Sequence, residues 1–245
     1  MGVDPIFFDM ICRAAHETRG GIACSFGYPD MLVSEAVMSS ALGADLVRRM
    51  QMREDSGGII AWHGVGDMMN RIYDSRSVFA ALGYKLDVID MHPVRDSETI
   101  IDLNYPLPAD FARTYDLVLD TGTCEHCFNI GQAALNLASL VKQGSFIIQG
   151  LPFNMYNHGL YNVNPTWFHD FYPENGFEIL FLQGATDWLT ELKIFDLPPY
   201  ARLNDAPPNA GIYVMARRNR PRTTARNGLG AAQGAAARGA GRRPA

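Results

Sequence analysis

The sequence predicts an α/β protein, with a mostly parallel sheet flanked by helices and an antiparallel hairpin at one edge. Three observations predict it. Apolar stretches of strand length alternate with segments of helical periodicity, the order expected of parallel strands joined by crossover helices. The last two strand-like stretches have only loop and polar sequence between them, which suits an antiparallel edge hairpin. Finally, 245 residues, 47% of them hydrophobic, suffice for one full core and favour one domain over two.

Strands are expected at residues 21–25, 59–63, 86–90, 99–103, 115–120 and 145–150, with the hairpin at 177–183 and 211–216. The clearest helix follows the fifth strand: Ile130, Ala133, Ala134, Leu137, Leu140 and Val141 recur at helical spacing until Lys142-Gln143-Gly144 ends the run. A second covers 75–82, with Val78, Phe79 and Leu82 on one face and Gly83 at its end. Phe7, Phe8, Ile11 and Cys12 mark a short packing helix over 7–15. Nothing repeats, and no linker splits residues 1–216, which read as one domain with an N-terminal helical extension over about 1–57.

The net charge of −5 hides an asymmetry. Eight of the 21 basic residues fall between Arg217 and Arg243, where there is no acid, so the body carries 13 basic against 26 acidic residues. An acidic body lacks the positive surface that displaces counterions from phosphates, which disfavours a nucleic-acid partner. The Arg/Ala/Gly-rich tail, 217–245, cannot build a core and reads as disordered, with a weak tether to an acidic partner as its other use. No run of about 18 apolar residues and no secretory pattern occurs, so no membrane partner is expected and the chain reads as cytoplasmic.

Chemistry concentrates in the segment Tyr-Asp-Leu-Val-Leu-Asp-Thr-Gly-Thr-Cys-Glu-His-Cys-Phe-Asn, residues 115–129. An apolar strand ending in Asp120 runs into a glycine loop, then Glu125 and His126, then a helix. Ligands of open α/β sheets bind outside the carboxyl ends of the strands, which puts this loop on the functional edge. Cys124 and Cys127 form a CxxC around His126, but no second CxxC or HxxxH supplies the other ligand pair of a zinc site, so no metal is expected and the cysteines read as packing residues.

With its "YDLVLD" strand, loop and "EH" pair, the segment resembles class I S-adenosylmethionine-dependent methyltransferases. The resemblance runs from roughly 58 to 216 and is strongest over 115–150, where Lys142-Gln143-Gly144-Ser145 stands for the family's "KPGG" turn; Gln143 and Ser145 depart from it. It implies a Rossmann-like sheet, S-adenosylmethionine as cofactor, and methyl transfer to O or N of a small-molecule or glycan acceptor. On that reading Asp90 accepts from the ribose hydroxyls, Asp102 meets the adenine, and Asp120 lies with them on the cofactor side.

The family's glycine-rich first loop has two candidates. Trp62-His63-Gly64-Val65-Gly66-Asp67 lies nearer to Asp90, so spacing favours Gly64 and Gly66 as the place where backbone approaches the methionine moiety. Ser25-Phe26-Gly27-Tyr28-Pro29-Asp30 follows an apolar strand but requires an inserted helical segment before Asp90. His126 is the candidate general base, with Glu125 beside it; otherwise the pair is an acid at a helix start and a half-buried histidine.

The segment 150–172 is long, nearly uncharged, and rich in Asn and aromatics, which suits a lid over a polar neutral acceptor. Asn154, Tyr156, Asn157, His158, Tyr161 and Asn162 are the acceptor-side candidates, while Trp167, Phe168 and Phe171 read as helix packing. A dinucleotide oxidoreductase would need a GxGxxG that neither loop supplies. The alternative is a catalytically inactive methyltransferase-like binding or scaffold protein that has lost its cofactor loop.

Overall fold

The computed structural model describes residues 2–95, 97–186 and 192–220. In chain order the elements are β1 (Gly2–Val3), α1 (Pro5–Thr18), β2 (Gly21–Phe26), β3 (Asp30–Met31), α2 (Glu35–Leu42), α3 (Ala44–Val47), α4 (Ser56–His63), α5 (Ser75–Ala81), β4 (Tyr84–Asp90) and β5 (Thr99–Ile100). Then follow β6 (Tyr115–Asp120), a 3-10 turn over Cys124–His126, α6 (Ile130–Ser139), β7 (Val141–Asn154), α7 (Pro165–Glu174), β8 (Phe177–Thr186), β9 (Lys193–Asp196) and β10 (Ala210–Arg218).

Eight strands form one sheet in the order β5-β4-β2-β6-β7-β10-β8-β9. The first five pair in parallel, and β10 pairs antiparallel with both β7 and β8. The sheet is therefore mixed rather than mostly parallel. The late pair is antiparallel as expected, but it is not an edge hairpin: β10 inserts between β7 and β8, and the unexpected β9 takes the edge.

Alternation along the strands sorts side chains between two cores. Leu117 and Leu119 of β6, Phe146 and Ile148 of β7 and Met215 of β10 face α1 and the insert that follows β2. Val118, Ile147 and Val214 face α6 and α7, where Leu137, Phe168 and Phe171 complete the layer. Trp167 packs against that second core from a partly buried position, so the aromatic trio serves packing.

Local signals start the helices. Asp4 caps α1, its Oδ1 accepting from the Ile6 and Phe7 amides at 2.9 and 3.0 Å, and Pro5 opens the first turn where no amide is needed. Asn129 and Asn164 cap α6 and α7 in the same way. Such caps each stabilise by about 1 kcal/mol. The Phe7 ring lies 4.8 Å from that of Tyr213 and directly over Gly150, where a Cβ would come within 2.2 Å of Phe7 Cζ. Glycine at 150 thus lets α1 seat on the sheet.

Four further expectations change. Residues 59–63 are helix α4, ended by Gly64 at φ 65°; a short apolar run does not by itself distinguish strand from helix, and the central strand is supplied by 21–26. Residues 1–57 are accordingly not a helical extension, because they contain β2. Of 99–103 only Thr99–Ile100 is strand; the Ile101 amide still donates to the Asp90 carbonyl at 2.9 Å, and the chain then turns through a bend held by Asp102. Arg217 and Arg218 belong to β10, Arg217 reaching Glu17 at 3.2 Å and Glu178 at 3.3 Å; the rest of the expected tail, 221–245, lies outside the described residues. No helix among the described residues is long and apolar enough to cross a membrane.

Candidate functional site

A cavity of about 1040 Å³ opens over the carboxyl ends of the parallel strands. It sits where the strand order reverses, with β4 on one side of β2 and β6 on the other, the position at which open α/β sheets bind ligands. Gly27 after β2, Asp90 to His92 after β4, Ile101 to Asn104 after β5, and Thr121 to Thr123 with Glu125 to Cys127 after β6 form its floor. Gly150 to Pro152 of β7 and Tyr213 of β10 close one side. Asp4, Phe7, Trp62, His63, Asn157 and His158 reach over it.

Asp90 ends β4 with one oxygen committed and one open. Its Oδ1 accepts from the Met91 and His92 amides at 2.6 and 3.1 Å, while Oδ2 has no hydrogen-bond partner among the described residues. Asp102 is similarly oriented: Oδ1 accepts from the amide and the Nδ2 of Asn104 at 2.9 and 2.7 Å. Asn104 in turn accepts from the amide of Asn129, which ties this turn to the start of α6.

Asp120 has a different place from the one expected. It is fully buried and off the cavity wall. Its Oδ1 accepts from the Thr123 amide at 2.8 Å and Oδ2 from Gln149 Nε2 at 2.9 Å, and Gln149 Oε1 accepts from the Tyr172 hydroxyl at 2.8 Å. Burial raises its pKa, and the Glu125 carboxylate adds to that, against the hydrogen bonds it accepts. Asp120 is thus an internal anchor that shapes the loop 121–125.

Glu125 is the unusual group of the site. Its side chain is 1% exposed, yet Oε2 has no hydrogen-bond partner, although a buried carboxylate oxygen ordinarily has one. His126 Nε2 stands 3.8 Å from Oε1 and His158 Nε2 stands 3.6 Å from it, each histidine side chain being about half exposed. The lid is fastened here by the Leu160 amide, which donates to the Glu125 carbonyl at 2.8 Å. Gly159, at φ 70°, makes that approach possible: a Cβ on it would lie 2.7 Å from Glu125 Cγ. The neighbouring carboxylate raises the His158 pKa, against burial, which lowers it.

The remaining expected residues divide. Asn157 and His158 line the cavity. Asn154, Tyr156, Tyr161 and Asn162 do not; Asn154 Nδ2 donates to the Ala206 and Pro207 carbonyls, Tyr161 to the Phe128 carbonyl and the Met155 amide to Asn162 Oδ1. The Met155–Asn162 bond holds the lid's own shape, the others tie the lid to the segments at 128 and 206–207, and Tyr156 is exposed to solvent. Gly64 and Gly66 lie off the cavity at the end of α4, whereas Gly27, at φ 70°, is on it. The cysteines at 124 and 127 are buried free thiols.

Sequence reasoning missed His92, Tyr213 and Asp4 as cavity residues, and in the favoured loop candidate it singled out Gly64 and Gly66, whereas Trp62 and His63 are the residues of that segment on the cavity. The only local signal for His92 was a position just past a strand. Asp4 and Tyr213, far apart in sequence, gave none.

No protein-family model and no curated protein matches the chain. Among solved structures it is similar to TehB from Haemophilus influenzae, with 13% identity and a TM-score of 0.39; the match covers 59% of this chain and 53% of that one, so it spans about half of TehB's length.

Proposed function

We propose that the chain is an S-adenosylmethionine-dependent methyltransferase acting on O or N of a small-molecule or glycan acceptor. The observation that carries the reading is Asp90: a carboxylate ending the strand next to β2, with Oδ1 held by two amides and Oδ2 open beside a cavity at the switch point. A carboxylate so held suits a pair of ribose hydroxyls, because it accepts two bonds without rotating. Asp102 and Leu103 would border the adenine, and Gly27, at positive φ directly after β2, brings backbone to the cavity. The cavity volume admits a nucleoside cofactor together with a small acceptor.

When bound, the cofactor supplies an electrophilic methyl group. The chain's own part is alignment and proton removal. His126 at Nε2 takes the proton from the acceptor hydroxyl or amine, and Glu125 stabilises the resulting imidazolium from 3.8 Å. Asn157 and His158, from the lid, border the acceptor.

Calorimetric titration with S-adenosylmethionine and S-adenosylhomocysteine, beside Asp90→Ala, tests this. Micromolar binding lost in the variant supports it; no binding at millimolar ligand refutes it. That second result would favour a catalytically inactive binding or scaffold protein, for which one observation speaks: a single glycine, not a glycine-rich turn opening a helix, follows β2.

A further inference from the structure

We propose that Glu125, His126 and His158 form a binding site for one divalent first-row transition-metal ion at the acceptor end of the cavity. One ligand atom from each of the three lies within 4.8 Å of the others. The two imidazole Nε2 atoms stand 3.8 and 3.6 Å from the same carboxylate oxygen. Two ligands on one zinc-like ion with bonds of about 2.0 Å lie about 3.3 Å apart at a tetrahedral angle, so each histidine nitrogen has about 0.3 to 0.5 Å to close on Oε1, and the two ring ligand atoms, within 4.8 Å of each other, have at most about 1.5 Å to close. Half-exposed histidines can make such shifts.

The second observation is the orphaned Glu125 Oε2, on a side chain 1% exposed and bordering the cavity. A buried carboxylate oxygen without a donor is costly, and an ion held by both oxygens of Glu125, Oε1 facing the histidines and Oε2 beside it, would satisfy it. The donor set decides the class of ion. Two imidazoles and one carboxylate suit zinc, iron, cobalt, nickel or manganese better than magnesium or calcium, and three protein ligands leave positions open on the cavity side. The CxxC is not part of it: the ligand atoms that come together among the described residues are those of Glu125, His126 and His158, with neither cysteine sulfur among them.

The site fixes an acceptor chemistry, a clause that rests on the methyltransferase reading above. A hydroxyl of the acceptor would occupy an open metal position; its O–H bond breaks, the oxygen keeps the electron pair, and the proton passes to water at the cavity mouth. Metal binding uses the Nε2 of His126, so in the metal-bound state it replaces the histidine as the means of removing that proton.

The test is titration of the full-length chain, stripped with chelator, with Co²⁺ followed by visible absorption and with Zn²⁺ by calorimetry. One saturable ion per chain is expected, with d–d bands and no thiolate charge-transfer band. His126→Ala and His158→Ala should each weaken binding about tenfold or more without changing the chelated protein's melting midpoint, and Cys127→Ser should leave it unaltered. Absence of saturable binding overturns the proposal. So does binding that survives both histidine variants, or a charge-transfer band that Cys127→Ser abolishes. S-adenosylhomocysteine is titrated in chelator alongside: its failure to bind while Co²⁺ binds refutes the methyltransferase reading and leaves the metal site standing, and the converse result does the opposite.

Discussion

The Tyr213 hydroxyl donates to Asp4 Oδ2 at 2.6 Å, so that the middle of β10 holds the cap of α1 at the cavity wall across 209 residues of sequence. The bond lies in the buried interior, and Phe7 of the same helix packs on the Tyr213 ring. Tyr213→Phe should therefore destabilise the fold by about 1–3 kcal/mol, since it leaves a buried carboxylate oxygen without its donor. Urea unfolding of the variant checks the value, and an unchanged midpoint would contradict the account.

Asp4 also carries a pH signature. Burial raises its pKa above the ordinary 3.8, against the hydrogen bonds from Tyr213 and the Phe7 and Ile6 amides. Below 3.8 both folded and unfolded chains are protonated there, and the contribution of Asp4 is fully present. As pH rises through the higher folded-state value, the unfolded chain releases the proton first and stability is lost. Asp4→Asn keeps a capping oxygen but does not titrate. Its melting temperature relative to the unaltered chain should rise from pH 4 to pH 7; parallel curves would refute the assignment.

Gly150→Ala should cost about 1–3 kcal/mol, because the new Cβ would sit 2.2 Å from Phe7 Cζ and push α1 off the sheet. Adding Phe7→Ala to that variant should recover part of the clash while forfeiting the ring's burial. A double-mutant cycle by chemical denaturation reads the coupling, and additivity of the two changes would speak against direct contact.

Asp90 and Asp120 should separate binding from folding. Asp120→Ala leaves the Thr123 amide and Gln149 Nε2 without their acceptor and should lower stability by about 2–4 kcal/mol. Asp90→Ala, at the cavity wall, should lower S-adenosylhomocysteine affinity by about tenfold or more with a far smaller change in stability. Thermal melts and calorimetry on both variants distinguish the roles.

The thiols should be inert in the folded chain. Burial pushes Cys12 and Cys127 up to about 11 and raises Cys24 and Cys124 as well. A thiol reagent at neutral pH should modify none of the four rapidly until denaturant is added. Fast modification of Cys127 in the native protein would instead mark a reactive cysteine.

The sequence by itself determined the elements whose signal is local and periodic. The strand Tyr115–Asp120 and the helix after it were legible because a near-continuous apolar run and a 3.6-residue apolar period leave little choice of conformation. Asp90 and Asp102 were legible because each lies at or just past the end of an apolar run. The tertiary structure alone decided which strands are neighbours, and with that which glycine meets the cavity. Ile59 to His63 is as apolar as a strand yet lies in helix α4, while β2 takes the place beside β4 in the sheet. β10 lies inside the sheet and not at its edge because pairing with both β7 and β8 buries its apolar residues on two faces. His158 reaches Glu125 because the Leu160 amide bonds to the Glu125 carbonyl and Gly159 lets the lid lie close. Periodicity reports how a segment sits against water, whereas contacts such as this depend on how distant segments pack.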